Sequence, residues 1–127
     1  MKQDEILVKN IFVPLHGSFW LASSYSTKHP RIQEFMENNQ FVFGNGGVSR
    51  VIKKHKSVSD VQVGDFVAIL GHYPCSNDDC YSCKVLHRYT ECQYNEGKII
   101  GHGKGSLDGT LARYTILPKF SYEVCFK

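Results

Sequence analysis

Apolar and β-branched residues occur in short runs, separated by the glycine, proline, asparagine and aspartate residues that are typical of turns. The runs predict strands at residues 5–13, at 41–56 with a break at the glycine cluster, at 66–70, at 110–118 and at 120–127, with a three-residue strand at 98–100. Many short strands with little helix are typical of a barrel or a sandwich.

One segment has the periodicity of a helix. Pro30 stands at a plausible first helical position, and Ile32, Phe35 and Met36 are spaced to share one apolar face. We therefore predict a short helix over residues 30–39.

Composition and charge favour one globular domain without a nucleic-acid partner. The chain has 127 residues, of which 42% are hydrophobic and 13% aromatic, enough for one core. The net charge of +3 is a mild excess, and the basic residues are scattered. Neither face of residues 48–55 is wholly apolar, so we expect a partly exposed strand there. The basic cluster at 53–56 is interpreted as the solvated end of that strand.

The N-terminal segment and the overall hydropathy indicate where the chain functions. Two acidic residues lie within the first five, without the apolar core of a signal peptide. No stretch approaches the ~20 apolar residues of a membrane span. We expect no membrane partner and a cytoplasmic location, where thiols stay reduced.

Four of the five cysteines fall within the nineteen residues 74–92. Their spacing is C-x4-C-x2-C-x8-C, and they are Cys75, Cys80, Cys83 and Cys92. Four thiolates satisfy a tetrahedral zinc ion completely and leave no position for water or substrate. The spacing therefore predicts a structural zinc site rather than a catalytic one.

Few apolar side chains are available to fold this segment. Its sizeable apolar residues are Tyr81, Val85, Leu86 and Tyr89, whereas ordering the backbone costs ~1–2 kcal/mol per residue. A structural zinc supplies an apparent ~10–16 kcal/mol, so the metal would fold the segment.

Several alternatives to this ligand set remain open at the level of sequence. The thiols could form disulfides, stay free or hold an iron–sulfur cluster. Asp78 or Asp79 could replace Cys75, and His72 or His87 could act as an alternative ligand. The fifth cysteine, Cys125, is predicted to be a small buried hydrophobe.

The thiolate segment, preceded by VGDFVAI and followed by DGTLARYTILP, resembles the N-terminal half of the medium-chain, zinc-containing alcohol dehydrogenases. The resemblance implies a mainly β, GroES-like partial barrel over residues 1–127, with a protruding zinc lobe at 74–93 and one or two short helices. The family's lobe usually has the spacing C-x2-C-x2-C-x7-C. Here the first gap is two residues longer and the last is one residue longer.

The chain departs from the family where that family holds its catalytic zinc. Leu15 stands where the family has a cysteine ligand, and leucine cannot bind a metal. Asn45 and Gly46 replace the histidine and glutamate of the family's second ligand segment, and Gly17 replaces its proton-relaying hydroxyl residue. The resemblance therefore implies a structural zinc and no catalytic zinc.

His16 is the remaining candidate for contact with a substrate at the mouth of the family's cleft. It could equally be a loop histidine bonded to backbone. Phe19 and Trp20 could line an apolar pocket near it or pack in the core.

Neither glycine-rich stretch, at 44–47 or 101–106, has the spacing and strand–helix context of a dinucleotide loop. We expect no cofactor-binding residue here, and no nucleotide-binding domain within this chain. NAD(P) would bind only if such a domain exists beyond it.

The resemblance thus implies the substrate-binding half of an NAD(P)-dependent oxidoreductase, which takes a small-molecule substrate and is inactive as an isolated domain. The alternative is a non-catalytic, zinc-stabilised protein-interaction module. An unpaired strand edge could then form a homodimer.

Overall fold

A computed structural model of the chain describes residues 1–15, 42–75, 77–92, 94, 100–101 and 107–126. Its strands are β1 (Glu5–Phe12), β2 (Gly47–Lys54), β3 (Phe66–Ile69), β4 (Tyr114–Pro118) and β5 (Tyr122–Phe126). A short helix, α1 (Tyr81–Lys84), and a 3-10 helix (Tyr89–Glu91) follow β3. The predicted helix at 30–39 lies outside the described residues. None of the described helices has the length and hydropathy needed to cross a bilayer.

The five strands form one sheet in the order β4-β1-β2-β3-β5, and every neighbouring pair is antiparallel. Consequently β4 and β5 run in the same direction at opposite edges, although only residues 119–121 join them. A flat five-stranded sheet would place its edges about 19 Å apart. The four Cα steps from Pro118 to Tyr122 span at most about 15 Å. The sheet must therefore curl, which confirms the expected partial barrel.

The corner between β4 and β5 is bonded to the ends of β1 and β3, the neighbours of the two edge strands. Lys119 donates its backbone N–H to the carbonyl of Asp4, just before β1, at 2.8 Å. Leu70, just after β3, donates its backbone N–H to the carbonyl of Ser121 at 2.9 Å. Phe120 between them has a positive φ of 68°, which turns the chain sharply without reversing it. One bent strand therefore passes from the first edge to the last.

The core lies inside this curl. Among the described residues, it comprises ten buried side chains, namely Ile6, Val8, Val51, Val58, Val61, Val67, Ile69, Ile100, Leu117 and Tyr122. The inward residues alternate with outward ones along β1, β3 and β5, as the strand period of two requires. In β5, Tyr122 is buried and the alternation turns Glu123 and Cys125 outward. The prediction that Cys125 is buried was therefore wrong, because the side chain is exposed.

Strand β2 is partly exposed, as predicted, and a β-bulge changes its phase. Val8 lies opposite Val51 and Leu7 opposite Lys53, so Ile52 is the extra residue. After the bulge, Lys54 is half-buried, and its ammonium donates to the carbonyls of Val58 at 2.9 Å and Val61 at 2.8 Å. The interpretation of the whole cluster at 53–56 as a solvated strand end was thus wrong at Lys54, which holds the loop after β2.

Strand β4 begins at Tyr114, four residues later than the predicted start at residue 110. Before β4, the side chain of Asn10 reaches the preceding residues, in addition to backbone hydrogen bonds such as that from Asn10 N–H to the Arg113 carbonyl at 3.0 Å. The Asn10 amide nitrogen lies 2.9 Å from the carbonyl of Thr110, 2.7 Å from that of Ala112 and 2.8 Å from the Thr115 hydroxyl. The predicted strand at 98–100 is described only at Ile100, which forms an isolated bridge with Leu107.

Asn10 is consequently a polar junction at one end of the barrel interior. Ser49, directly opposite on β2, donates its hydroxyl to the Asn10 amide oxygen at 2.7 Å. The Thr115 hydroxyl donates a hydrogen bond to the carbonyl of Gly109 at 3.1 Å. Partly buried polar groups of this kind cost stability when a partner is removed.

We expect Asn10→Leu to lower the free energy of unfolding by about 2–4 kcal/mol, because it leaves several inward-facing acceptors without a donor. Urea denaturation of the zinc-loaded chain measures this change. Lys9→Leu is the matched control, since Lys9 is the exposed neighbour on β1, and its effect should stay within about 0.5 kcal/mol. Equal losses in both variants would show that the network does not stabilise the barrel.

Candidate metal centre

The cysteine lobe begins and ends at one hydrogen-bonded stem. Ile100 donates its backbone N–H to the carbonyl of Gly71 at 2.9 Å, and Gly101 donates to Leu107 at 2.8 Å. Gly71 has a φ of +64°, and a Cβ there would collide with the carbonyl of Asn45. Glycine is therefore required at the start of the lobe for both reasons.

Local structure directs the four thiols to one point. Cys80 caps α1 and Cys83 lies within it, so one turn brings both to the same side. Cys92 follows directly after the 3-10 helix, and Cys75 precedes the loop that leads to α1. Sequence reasoning missed both helices, because four residues are too few to show a helical period.

The four sulfur atoms all lie within 4.8 Å of one another. Cys75, Cys80 and Cys83 are buried and Cys92 is half-buried. A tetrahedral zinc with Zn–S bonds of about 2.3 Å spaces its sulfurs about 3.8 Å apart, and the Cys80 and Cys92 sulfurs are 3.6 Å apart. The cluster therefore fits a single tetrahedral ion and is compatible with a structural zinc.

The structure decides between most of the alternatives left open by the sequence. All five cysteines are free thiols, which contradicts the disulfide interpretation. Asp78 is 98% exposed at its side chain and pairs with Lys84 at 3.4 Å, away from the cluster. Asp79, His72 and His87 do not belong to the group of ligand atoms either. A multi-iron cluster would occupy the space between the sulfurs and hold them farther apart than a single ion does.

Burial and the proximity of the four thiols change the pKa values of three of them. Burial, followed by hydrogen bonds with the Cys83 and Cys75 thiols, raises the pKa of Cys92 to about 12. Burial also raises the pKa of Cys83. Burial raises the pKa of Cys75, but hydrogen bonds with the Asn77 backbone and the neighbouring thiols lower it further than burial raises it. The pKa of Cys75 therefore lies below its ordinary value. Four thiolates this close repel one another unless a divalent cation balances them.

Apolar packing contributes little to the lobe. Of its sizeable apolar side chains, Tyr81, Val85 and Leu86 are 63%, 58% and 41% exposed. Tyr89 packs against the thiols. This distribution agrees with the expectation that a hydrophobic core does not fold the segment.

The two segments that carry catalytic zinc ligands in the resembled family lie side by side here. A Cβ on Gly46 would be 4.0 Å from the Pro14 side chain, next to Leu15. Leu15 is 56% exposed. His16, Gly17, Phe19 and Trp20 lie outside the described residues. The structure therefore places the segment that ends at Leu15 beside the segment that contains Asn45 and Gly46, and Leu15 supplies no metal-binding atom.

Thr110 holds the second of these segments, and sequence reasoning did not identify it. Its buried hydroxyl donates to the carbonyl of Gly46 at 2.7 Å, and its backbone N–H donates to that of Gly44 at 2.8 Å. Gly109 beside it leaves no room for a Cβ, because the Phe43 and Gly44 carbonyls are in contact with it. The DGT sequence at 108–110 was a signal for this close approach.

Comparison with known proteins identifies the family. The sequence-family model of the alcohol dehydrogenase GroES-like domain matches residues 2–125 of the chain. The chain belongs to this family. The GroES-like resemblance drawn from the thiolate lobe and its flanking motifs is thereby confirmed, together with the mainly β fold.

Several relatives of this GroES-like domain are dehydrogenases and reductases. D-xylulose reductase A of Aspergillus niger is 29% identical over 126 residues, which cover 97% of this chain and 30% of that protein. L-threonine 3-dehydrogenase of Thermococcus kodakarensis is 35% identical over 77 residues, covering 61% of this chain and 20% of that protein. The chain thus spans less than a third of the length of these relatives.

Solved structures share the fold. Galactitol-1-phosphate dehydrogenase of Escherichia coli superposes with a TM-score of 0.66 at 25% identity, covering 98% of this chain and 31% of that one. A thermostable alcohol dehydrogenase of Pyrobaculum aerophilum superposes with a TM-score of 0.72 at 19% identity, covering 96% and 33%.

We expect the purified GroES-like domain to contain one zinc per chain. Cys80→Ser should weaken zinc binding by more than about 100-fold, because three thiolates no longer complete the tetrahedral coordination. Elemental analysis and competition with a chromophoric chelator measure both. Cys125→Ser is the control, since Cys125 is exposed and outside the cluster. Two zincs per chain would contradict the interpretation of Leu15 and Asn45.

Proposed function

We propose that this GroES-like domain is the substrate-binding half of an NAD(P)-dependent oxidoreductase that has a structural zinc and no catalytic zinc. Cys75, Cys80, Cys83 and Cys92 are the proposed zinc ligands. Membership of the alcohol dehydrogenase GroES-like family over residues 2–125 carries the proposal. The names of the relatives support an oxidoreductase acting on a small molecule.

The proposed absence of a catalytic zinc rests on residue chemistry. Leu15 stands where the resembled family has a cysteine ligand, and leucine has no atom that can bind a metal. Asn45 stands where that family has its histidine ligand. A carbonyl substrate would then need a hydrogen-bond donor in place of a metal ion to stabilise negative charge on its oxygen. We assign this contact to His16, which follows Leu15 directly.

Cofactor binding is proposed to require a nucleotide-binding domain outside these residues. All described strands belong to a single antiparallel sheet, whereas a dinucleotide site needs a parallel βαβ unit with a phosphate loop. By itself, this domain is therefore proposed to be inactive. The reduced thiol cluster supports a cytoplasmic location.

We expect the protein encoded by the complete natural gene to oxidise NAD(P)H with a carbonyl or activated-alkene substrate. His16→Ala should lower kcat/KM by about 100-fold, because a donor to the reacting oxygen is lost. Steady-state kinetics over a substrate panel measure this effect. His55→Ala is the control, since His55 is bonded to Ser57 in a loop after β2.

Two results would contradict the proposal. One is full activity in His16→Ala, which would remove the assigned role of that residue. The other is a natural protein that ends at Lys127 and neither binds nor oxidises NAD(P)H.

A protein-interaction module is the second candidate function, and the edges of the sheet favour it. Within the described residues, β4 and β5 each pair on one side only. Tyr114 and Ile116 on β4 are 46% and 44% exposed. An unpaired edge with apolar side chains is a template for another strand, and we propose a second copy of this domain as the partner.

If this second function is correct, the domain should sediment as a dimer, and Ile116→Lys should convert it to a monomer. A charged residue on an edge strand disfavours pairing with another strand. Sedimentation equilibrium measures the mass. Ile52→Lys is the matched control, because Ile52 is 37% exposed on β2, which lies inside the sheet. A monomeric parent domain would remove this candidate.

A further inference from the structure

An open cavity of about 310 Å³ lies where the zinc lobe meets the sheet. Leu70 and His72 line it from the segment after β3, and His87, Arg88, Tyr89 and Glu91 line it from the lobe. Pockets for small molecules begin at about 300 Å³, so the space accommodates a small ligand. None of these residues is a proposed zinc ligand.

His87 and Tyr89 form a wall between this cavity and a second one of about 130 Å³. Their rings are perpendicular, with centroids 6.4 Å apart, and the Tyr89 hydroxyl lies 3.5 Å from His87 Nδ1. His87 has a positive φ of 53°, which is uncommon for residues other than glycine. Such strained residues concentrate at binding sites, where the surrounding structure holds them in place.

The polar lining is rich in hydrogen-bond donors. Each histidine offers an N–H whether it is neutral or charged, and the Arg88 guanidinium offers several. Among the described residues of the lining, Glu91 is the one acid, and its carboxylate is 3.5 Å from the Arg88 guanidinium. Their side chains are 58% and 63% exposed, so this pair is weak and leaves Arg88 available to a ligand.

The remaining lining is apolar. Leu70 is 37% exposed beside the cavity. Tyr89 supplies an aromatic face. Donors on one part of the lining and apolar atoms on another are suited to a ligand with a negatively charged group attached to an apolar body.

We propose that this cavity binds a small organic anion, with its phosphate or carboxylate group at Arg88, His72 and His87 and its apolar part against Leu70 and Tyr89. The proposal does not depend on the oxidoreductase function, because it uses only residues of the lobe and its stem.

Binding of simple probes to the zinc-loaded chain tests the ligand class. Phenyl phosphate and benzoate carry the two anionic groups on the same ring, phenol is the neutral counterpart, and inorganic phosphate lacks the apolar body. Isothermal titration should show at least one aromatic anion binding at least about fivefold more tightly than phenol and inorganic phosphate. The tighter of phenyl phosphate and benzoate identifies the anionic group, and equal affinities indicate a general anion site. Equal affinity of phenol and both aromatic anions would overturn the proposal.

Two substitutions with opposite expected effects test the site itself. Arg88→Gln should weaken binding of the preferred probe at least about fivefold, because a charge-assisted donor is lost. Glu91→Gln should strengthen it about threefold, because a competing carboxylate is removed. A purely structural role for these residues does not predict tighter binding in either variant.

Arg50→Gln is the matched control, because Arg50 is exposed on β2 and does not line the cavity. Zinc content is measured for each variant to verify that the lobe is intact. A variant that loses zinc is replaced by His72→Gln, which should also weaken binding of the preferred probe. Equal affinities in Arg88→Gln and Arg50→Gln, or no gain in Glu91→Gln, would overturn the assignment.

Discussion

The path of the chain from β4 to β5 is the constraint on which the rest of the structure depends. Two strands that are neighbours in sequence lie at opposite edges of a five-stranded sheet, and three residues connect them. The sheet can satisfy this connection only by curling. The curl encloses the core, and the pairing of β1 with β2 places the segments at 14–15 and 44–46 side by side. The curl also places the stem of the lobe beside the strands.

Different forces stabilise the barrel and the lobe. The barrel buries ten apolar side chains and ties its polar end to Asn10. In the lobe, three of four sizeable apolar residues are exposed and four thiols converge at one point. Hydrophobic burial therefore orders the first unit, whereas the thiol cluster of the second is compatible with a metal ion that would balance the thiolate charge. Loss of such a metal would act on the lobe without removing the core of the barrel.

The difference between the barrel and the lobe in what stabilises them is relevant to function. The family's fold is retained over nearly the whole chain, and so is a thiol cluster that fits a structural metal. Leu15, Asn45 and Gly46 stand at the positions of the resembled catalytic metal site. A closed tetrathiolate site performs no chemistry on a substrate. The proposed chemistry would therefore depend on hydrogen bonding near residue 16, and the donor-rich cavity beside the lobe is the separate ligand site proposed above.

The sequence by itself predicted the five strands that the structure has at 5–12, 47–54, 66–69, 114–118 and 122–126, although not their bounds, and the four clustered thiols, because strand period and cysteine spacing are local properties of the chain. It did not determine the exposure of Cys125, the bulge at Ile52 or the inward ammonium of Lys54. These depend on which face of each strand meets the core and on the register between strands. Asn10 and Thr110 likewise gained their roles only from tertiary structure, since their partners lie as many as 105 residues away. Contacts between distant residues form when the sheet closes, and no local pattern encodes them.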